Sequence, residues 1–237
     1  MKLSTIFITS ALAVGVLAAS SQATPLTPAQ KAKAQKVTSE LTRILKKRIK
    51  SPGGTLQIKI VPGERADLGY FKEIFIDAKP AQIKKLHFSS MVMRARNVRI
   101  SPAALLNDRS ITTLASQTTL RAVITEDEVT AALSKGKESA EKDLKVKFEG
   151  DRVRVTGRWK MSWFSGPMEA VGKLRLGSGH TVVADIETLK LNGANVPAAV
   201  KNKFSEKINP LIDYNQLPFR PPFKALRFSG AKAIISA

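Results

Sequence analysis

The feature that most restricts the fold of this chain is a strict alternation of apolar and basic residues along one predicted hairpin. The first strand alternates Leu144, Val146 and Phe148 with two lysines, and Glu149-Gly150-Asp151 then supplies turn residues. The second strand continues the alternation from Arg152 to Met161. Because successive side chains of a strand point to opposite faces, the hairpin should present one apolar and one basic face. This pattern is typical of an antiparallel sheet that covers a core on one side.

Further alternating segments lie on both sides of this hairpin. Residues 152–191 are predicted to form a meander of hairpins, and earlier strands are predicted at residues 56–60 and 114–124. Residues 225–236 are predicted to form one final strand. The chain should therefore be rich in antiparallel sheet.

Three amphipathic helices are predicted between these strands. The first follows the capping residue Thr27, the second follows the capping box Thr125-Glu126-Asp127-Glu128, and the third begins near Asn195 and is disrupted by Pro210. The first helix has an apolar face and a basic last turn, so it could lie on an anionic membrane or pack on a sheet; we favour packing. With no internal repeat or long linker, residues 24–237 are expected to form a single α+β domain.

Composition excludes several classes of function. The 237 residues include 39 Lys and Arg, 19 Asp and Glu and no Cys, giving a formal net charge of +20. The absence of Cys excludes disulfides, zinc ribbons and a thiol nucleophile, and two histidines, His87 and His180, make a multi-histidine metal site unexpected. No phosphate-binding loop or nucleophile elbow is present. We therefore assign no catalytic residue, and we expect neither a metal nor a cofactor.

The first 23 residues have the pattern of a secretory signal peptide. Lys2 precedes an uncharged, mostly apolar run from Ile6 to Ala19, and Ser21-Gln22-Ala23 places small residues at the cleavage positions. The run is shorter than the roughly 20 residues that a membrane-spanning helix needs. We therefore expect export to the periplasm or to the extracellular cell envelope of a bacterium.

The basic face of the hairpin is a candidate anion-binding surface. Few acids are interspersed along this part of the sequence, so the face should attract phosphate-rich partners or simply be solvated. For an exported protein these partners are phospholipid headgroups, lipopolysaccharide or cell-wall polymers, and with no nucleic-acid-binding motif we expect no nucleic acid partner. The candidate residues are Lys145, Lys147, Arg152, Arg154, Arg158 and Lys160.

The C-terminal part of the chain resembles a known family. Residues 208–213, which read Ile-Asn-Pro-Leu-Ile-Asp, are followed by Leu217-Pro218-Phe219, and Ser229-Gly230-Ala231 supplies a small-residue turn. This succession resembles the terminal motif of the LmeA-like family of exported bacterial phospholipid-binding proteins, and residues 124–127 resemble its strand-to-helix junction. The motif residues Asn209, Pro210, Asp213, Leu217, Pro218 and Phe219 also have a structural explanation, since Pro210 ends a helix and Asn209 or Asp213 can bond the freed backbone groups.

The resemblance implies a tubular lipid-binding-like fold, in which a curved antiparallel sheet wraps around a long helix and leaves an apolar groove for lipid tails. It also implies a phospholipid ligand and an envelope location. Phosphatase activity has been attributed to the family, but none of its residues can be mapped onto this sequence. The groove candidates are apolar residues of the hairpin and of the last helix, namely Leu144, Val146, Phe148, Val153, Val155, Trp159, Met161, Val200, Phe204 and Ile208.

Three functions remain open at this point. The first is an exported phospholipid-binding protein, acting as a carrier or a sensor, with anionic membranes as a further partner. The second is a hydrolase of phosphate esters, and the third is a polyanion-binding envelope protein with a closed core.

Overall fold

The computed structural model describes residues 26–84, 86–134, 141–161, 164–177, 181–213, 217–219 and 223–237. The predicted signal peptide and His180 lie outside the described residues. The side chains of Trp159, Lys160 and Met161 are likewise outside the description, although their backbone belongs to a strand.

The first helix, α1 (Pro28–Arg48), begins as the sequence predicts. The Thr27 amide donates to Gln30 Oε1 over 2.8 Å, and the Gln30 amide donates to Thr27 Oγ1 over 3.3 Å, which completes a capping box. Val37, Leu41, Ile44 and Leu45 on the apolar face of α1 are buried, in agreement with packing on a sheet. The residues Ser51-Pro52-Gly53-Gly54 predict the end of this helix, but it ends earlier, at Arg48, because Ile49 and Lys50 form the short strand β1 (Ile49–Lys50).

The first large sheet is antiparallel and has six strands in the order β14-β15-β7-β6-β3-β2. Its members along the chain are β2 (Thr55–Pro62), β3 (Tyr70–Lys79), β6 (Ser90–Ile100), β7 (Thr113–Thr125), β14 (Ala225–Ser229) and β15 (Lys232–Ser236). A three-stranded sheet joins β1, β4 (Ala81–Ile83) and β5 (Leu86–Phe88), and the short helix α2 (Pro102–Leu106) follows β6.

The prediction of one final strand over residues 225–236 is wrong. Gly230 takes a left-handed φ of 55°, so the chain reverses there into a hairpin.

The second large sheet contains the meander that the alternation predicts. Its strands lie in the order β12-β11-β10-β9-β8, and β13 pairs with β11. Their bounds are β8 (Glu141–Glu149), β9 (Arg152–Met161), β10 (Phe164–Gly177), β11 (Thr181–Leu191), β12 (Ala194–Asn195) and β13 (Ile212–Asp213). Val146 faces Val155 and Lys147 faces Arg154 across β8 and β9, so the apolar and basic residues separate onto two faces as predicted.

Two further helices accompany the second sheet. Helix α3 (Glu126–Ser134) follows the predicted capping box, in which the Thr125 amide donates to Glu128 Oε2 over 2.7 Å. Helix α4 (Ala198–Ile208) begins three residues later than predicted, because β12 occupies Ala194 and Asn195. Val146 and Val153 of the second sheet share one buried cluster with α1 and the first sheet. The fold is therefore a sheet-rich α+β structure whose two large sheets share a core.

Candidate functional site

An apolar cavity of about 40 Å³ lies between the second sheet and helices α3 and α4. Every described residue around it is apolar or glycine. The sheet contributes Leu144, Val153, Val155, Met168, Ala170, Gly172, Leu174, Ala184 and Ile186, and Val129, Leu133, Phe204, Ile208 and Leu211 come from the helices and the segment after α4. Because none of the described lining side chains is charged or can form a hydrogen bond, the cavity suits hydrocarbon and not a polar metabolite.

Half of the predicted groove residues line this cavity, namely Leu144, Val153, Val155, Phe204 and Ile208. Val146 and Phe148 instead pack in the larger core, where the Phe148 ring meets the Phe228 ring edge to face at 5.2 Å. Val200 is half-buried outside the lining. The predicted groove residues are thus divided between the cavity and the larger core, and their role in binding lipid stays a prediction.

Several lining residues were missed, although the sequence contained a signal for them. Met168, Ala170 and Leu174 alternate along β10, and Ala184 and Ile186 alternate along β11. Both segments were predicted as strands, and the register of a meander places their apolar residues on the same face as those of β9. No sequence pattern indicates that Val129 and Leu133 of α3 line the cavity, since only the fold places α3 over this sheet.

Small residues on the sheet create the space beneath the helices. Ala170, Gly172 and Ala184 leave room that larger side chains would fill, and β10 has a bulge between Val171 and Gly172. A Cβ at Gly172 would lie 2.3 Å from the Asp185 carbonyl oxygen, so only glycine fits this strand pair. At about 40 Å³ the cavity is far smaller than the roughly 300–1,000 Å³ of common ligand pockets. A lipid tail would thus require the helices to separate from the sheet.

Helix α3 is fixed to β8 by polar contacts. Glu126 Oε1 accepts the Phe148 amide over 2.8 Å, Glu126 Oε2 accepts Lys147 Nζ over 2.8 Å, and Thr130 Oγ1 accepts the Val146 amide over 3.1 Å. The Lys147 hydrogen bond, followed by that of the Phe148 amide, holds the pKa of Glu126 below its ordinary range. These bonds satisfy backbone donors along β8, the edge strand of the sheet, so α3 is held in place beside the cavity.

Helix α4 is anchored at both ends on β11. Strand β12 precedes the helix and pairs with Lys190 and Leu191, whereas β13 follows it and pairs with Thr181 and Val182. Between them, Asn209 Nδ2 donates to the Ala184 carbonyl over 2.9 Å and its Oδ1 accepts the Ala184 amide over 2.7 Å. The side chain of Asn209 therefore bonds backbone groups, as expected. These groups belong to Ala184 of β11, 25 residues away, and are not those freed by Pro210.

We expect Asn209→Ala to lower the free energy of unfolding by about 1–3 kcal/mol, because both backbone groups of Ala184 lose their partner. Urea unfolding followed by circular dichroism would measure the loss. The exposed Asn202→Ala on the same helix is the matched control and should change stability by less than about 0.5 kcal/mol. Equal stability of the two variants would contradict the anchoring role.

The rest of the terminal motif is also placed by the structure. Leu217, Pro218 and Phe219 are buried, and Leu217 and Phe219 belong to the larger core. The Phe219 carbonyl lies 3.5 Å from Thr118 Oγ1 of β7. Asp213 lies in β13, beside Thr181. The motif residues after α4 therefore contact both sheets, with Asp213 on the second sheet and Phe219 against the first.

More acidic side chains pair with the cations of the predicted basic face than the sequence suggested. Lys147 Nζ lies 2.8 Å from Glu126, Arg152 Nε lies 3.1 Å from Glu187, and Arg154 forms ion pairs with Glu149 and Glu169. Glu126, Glu169 and Glu187 are distant in sequence, so the scarcity of nearby acids was misleading. Lys145 and Arg158 are exposed. Binding of headgroups by this face stays a prediction.

His87 is half-buried on β5, and within the described ranges no three His, Asp or Glu side chains converge as metal ligands. Among the helices described, none combines the length and the apolar character needed to cross a membrane.

Comparison with known proteins gives one finding. The model of a family described as LmeA-like phospholipid-binding matches residues 68–232, a stretch that contains α2, α3, α4 and most strands of both large sheets. Helix α1 and strands β1 and β2 precede the matched stretch. No curated protein and no solved structure matches the chain.

Proposed function

Because this chain belongs to the LmeA-like phospholipid-binding family, we propose that it is an exported phospholipid carrier that holds acyl chains between its second sheet and helices α3 and α4. The observation that carries the proposal is the wholly apolar lining of the cavity at this place. A lipid tail is the common biological ligand that needs an extended hydrocarbon surface and no polar partner.

The proposed groove is an enlargement of the present cavity. Ala170, Gly172 and Ala184 provide a smooth floor, and Phe204 and Ile208 of α4 form the opposite wall. Helix α3 is bonded along β8. Among the described residues, α4 is bonded to β11 at its first turn, where Lys201 Nζ donates to the Glu187 carbonyl over 3.4 Å, and through Asn209 just after its last turn. Bowing of α4 away from the sheet would therefore open the space with few broken hydrogen bonds. The lipid headgroup would remain at the solvent side.

The proposal extends to the fold and the location. In the tubular lipid-binding-like arrangement, α1 is the long helix held by a curved sheet, which its burial against the first sheet supports. Residues 1–23 direct the chain through the secretory pathway in this proposal, and the working compartment is the bacterial cell envelope.

Native mass spectrometry tests the proposal. The protein without residues 1–23 is purified without detergent, and bound lipid is extracted and analysed. We expect one phospholipid molecule per chain, with the lipid retained at high salt because apolar contacts hold it. A protein that carries no lipid and takes none from anionic liposomes would overturn the carrier function.

A further inference from the structure

A second and larger concavity lies at the C-terminal end of α1. Its lining is mostly basic, whereas that of the proposed groove is apolar. Its volume is about 590 Å³. Six cationic side chains from four parts of the chain surround it, namely Arg43, Lys47, Arg48, Lys50, Lys84 and Arg109. We call this surface the α1 cleft.

The α1 cleft retains its positive charge. Arg43 pairs with Glu40 over 2.5 Å, and this carboxylate raises the pKa of Arg43. In the described part of the chain, no ion pair joins any of the other five cations to an acid. The basic face of the second sheet is different, since Lys147, Arg152 and Arg154 all have acidic partners there. The α1 cleft is therefore the stronger attractor of anions.

Helix energetics explain only part of this charge. Lys46, Lys47 and Arg48 occupy the last turn of α1, where cations favour the helix dipole. Lys84 and Arg109 come from other elements, and their backbones take left-handed φ values of 53° and 51°. That conformation favours glycine or asparagine, so local structure alone does not select a lysine and an arginine at these positions.

We propose that the α1 cleft is the surface with which this protein docks onto an anionic phospholipid membrane. The inference rests on the proposed carrier function, because a carrier must reach a membrane to exchange its lipid. The docking is electrostatic and peripheral, since Val37, Leu41, Ile44 and Leu45 of α1 are buried in the core and cannot insert into a bilayer. Four cations of the cleft precede the family match at residues 68–232, and Lys84 and Arg109 lie within it.

Vesicle flotation tests the docking. Vesicles of phosphatidylglycerol and phosphatidylcholine in equal parts are compared with pure phosphatidylcholine, at low salt and at about 0.15 M salt, where the screening length is roughly 8 Å. We expect binding to the anionic vesicles alone, weakened by salt. Equal binding to both kinds of vesicle would overturn the proposal.

Variants locate the surface. Each cation near an anionic leaflet contributes about fivefold in binding, so Lys47→Gln, Lys50→Gln and Lys84→Gln together should weaken vesicle binding about 100-fold. The three corresponding Lys→Arg changes should retain it. In the matched control, the exposed Lys59, Lys72 and Lys232 of the first sheet are replaced by Gln, and this variant should bind as the wild type does. Loss of binding in this control, with the α1 cleft variant unaffected, would contradict the assignment.

Two further measurements separate the possible failures. Inositol hexaphosphate in solution, followed by calorimetry, should bind far more weakly than the anionic vesicles; tighter binding would make the cleft a site for soluble polyphosphates and overturn membrane docking. Native mass spectrometry of the triple Gln variant should still show one bound phospholipid. If the wild-type protein holds lipid but does not bind anionic vesicles, membrane docking by the α1 cleft is wrong and the carrier function stands. If it binds the vesicles but never holds lipid, the carrier function is wrong.

Discussion

Val155→Trp is expected to remove nearly all bound phospholipid from the purified protein. Val155 lies on β9, lines the cavity and faces Ala170 across the strand pair, so an indole at this position fills the space between the sheet and α4. Because the cavity already has a volume of only about 40 Å³, the added side chain leaves no path for a lipid tail. Native mass spectrometry and lipid extraction should show at least a tenfold fall in lipid per chain.

A tryptophan on the other face of the same sheet provides the control. Val171 is also half-buried, but it lies on β10 between Ala170 and Gly172 and faces Arg154, on the side away from the cavity. Val171→Trp should keep its lipid. Thermal unfolding of both variants checks that overpacking, which costs about 1–3 kcal/mol, has not unfolded the protein. A folded Val155→Trp protein with a full complement of lipid would place the acyl chains elsewhere.

Leu41→Ala is expected to cause the largest loss of stability, about 2–5 kcal/mol. Leu41 is completely buried on α1 and packs in the cluster that contains Ile74, Ile76 and Met91 of the first sheet. Removing its branched side chain leaves a void that neighbouring strands cannot fill, because both sheets hold their backbone positions. Urea unfolding monitored by circular dichroism would measure the change.

Lys36→Ala on the exposed side of α1 is the corresponding control, with an expected change within about 0.5 kcal/mol. A loss below about 1 kcal/mol for Leu41→Ala would show that α1 is only loosely attached to the first sheet. In that case α1 would be free to present its apolar face to a membrane, and the electrostatic docking inferred for the α1 cleft would be wrong.

Local patterns in the sequence determined much of the secondary structure. The alternation along β8 and β9 separates core from solvent at each step, so a register shift of one residue would bury lysine and arginine. The capping residues Thr27 and Thr125 marked helix starts, because each bonds a backbone amide only three residues away. These predictions succeeded because the interactions behind them are short in sequence.

Three features needed the tertiary structure. The acids that neutralise Lys147, Arg152 and Arg154 include Glu126, Glu187 and Glu169, which spacing alone does not place beside them. The cavity depends on α3 and α4 lying over the second sheet, and the α1 cleft depends on Lys84 and Arg109 meeting the end of α1.

The sequence by itself therefore determined the meander of the second sheet, the starts of α1 and α3, the apolar faces of these elements, and the family to which the chain belongs. The tertiary structure alone decided which apolar residues enclose a cavity and which cations remain unpaired. The physical reason is that periodicity and capping act over a few residues, whereas cavities and charge balance are sums over side chains that only the folded chain brings within contact distance.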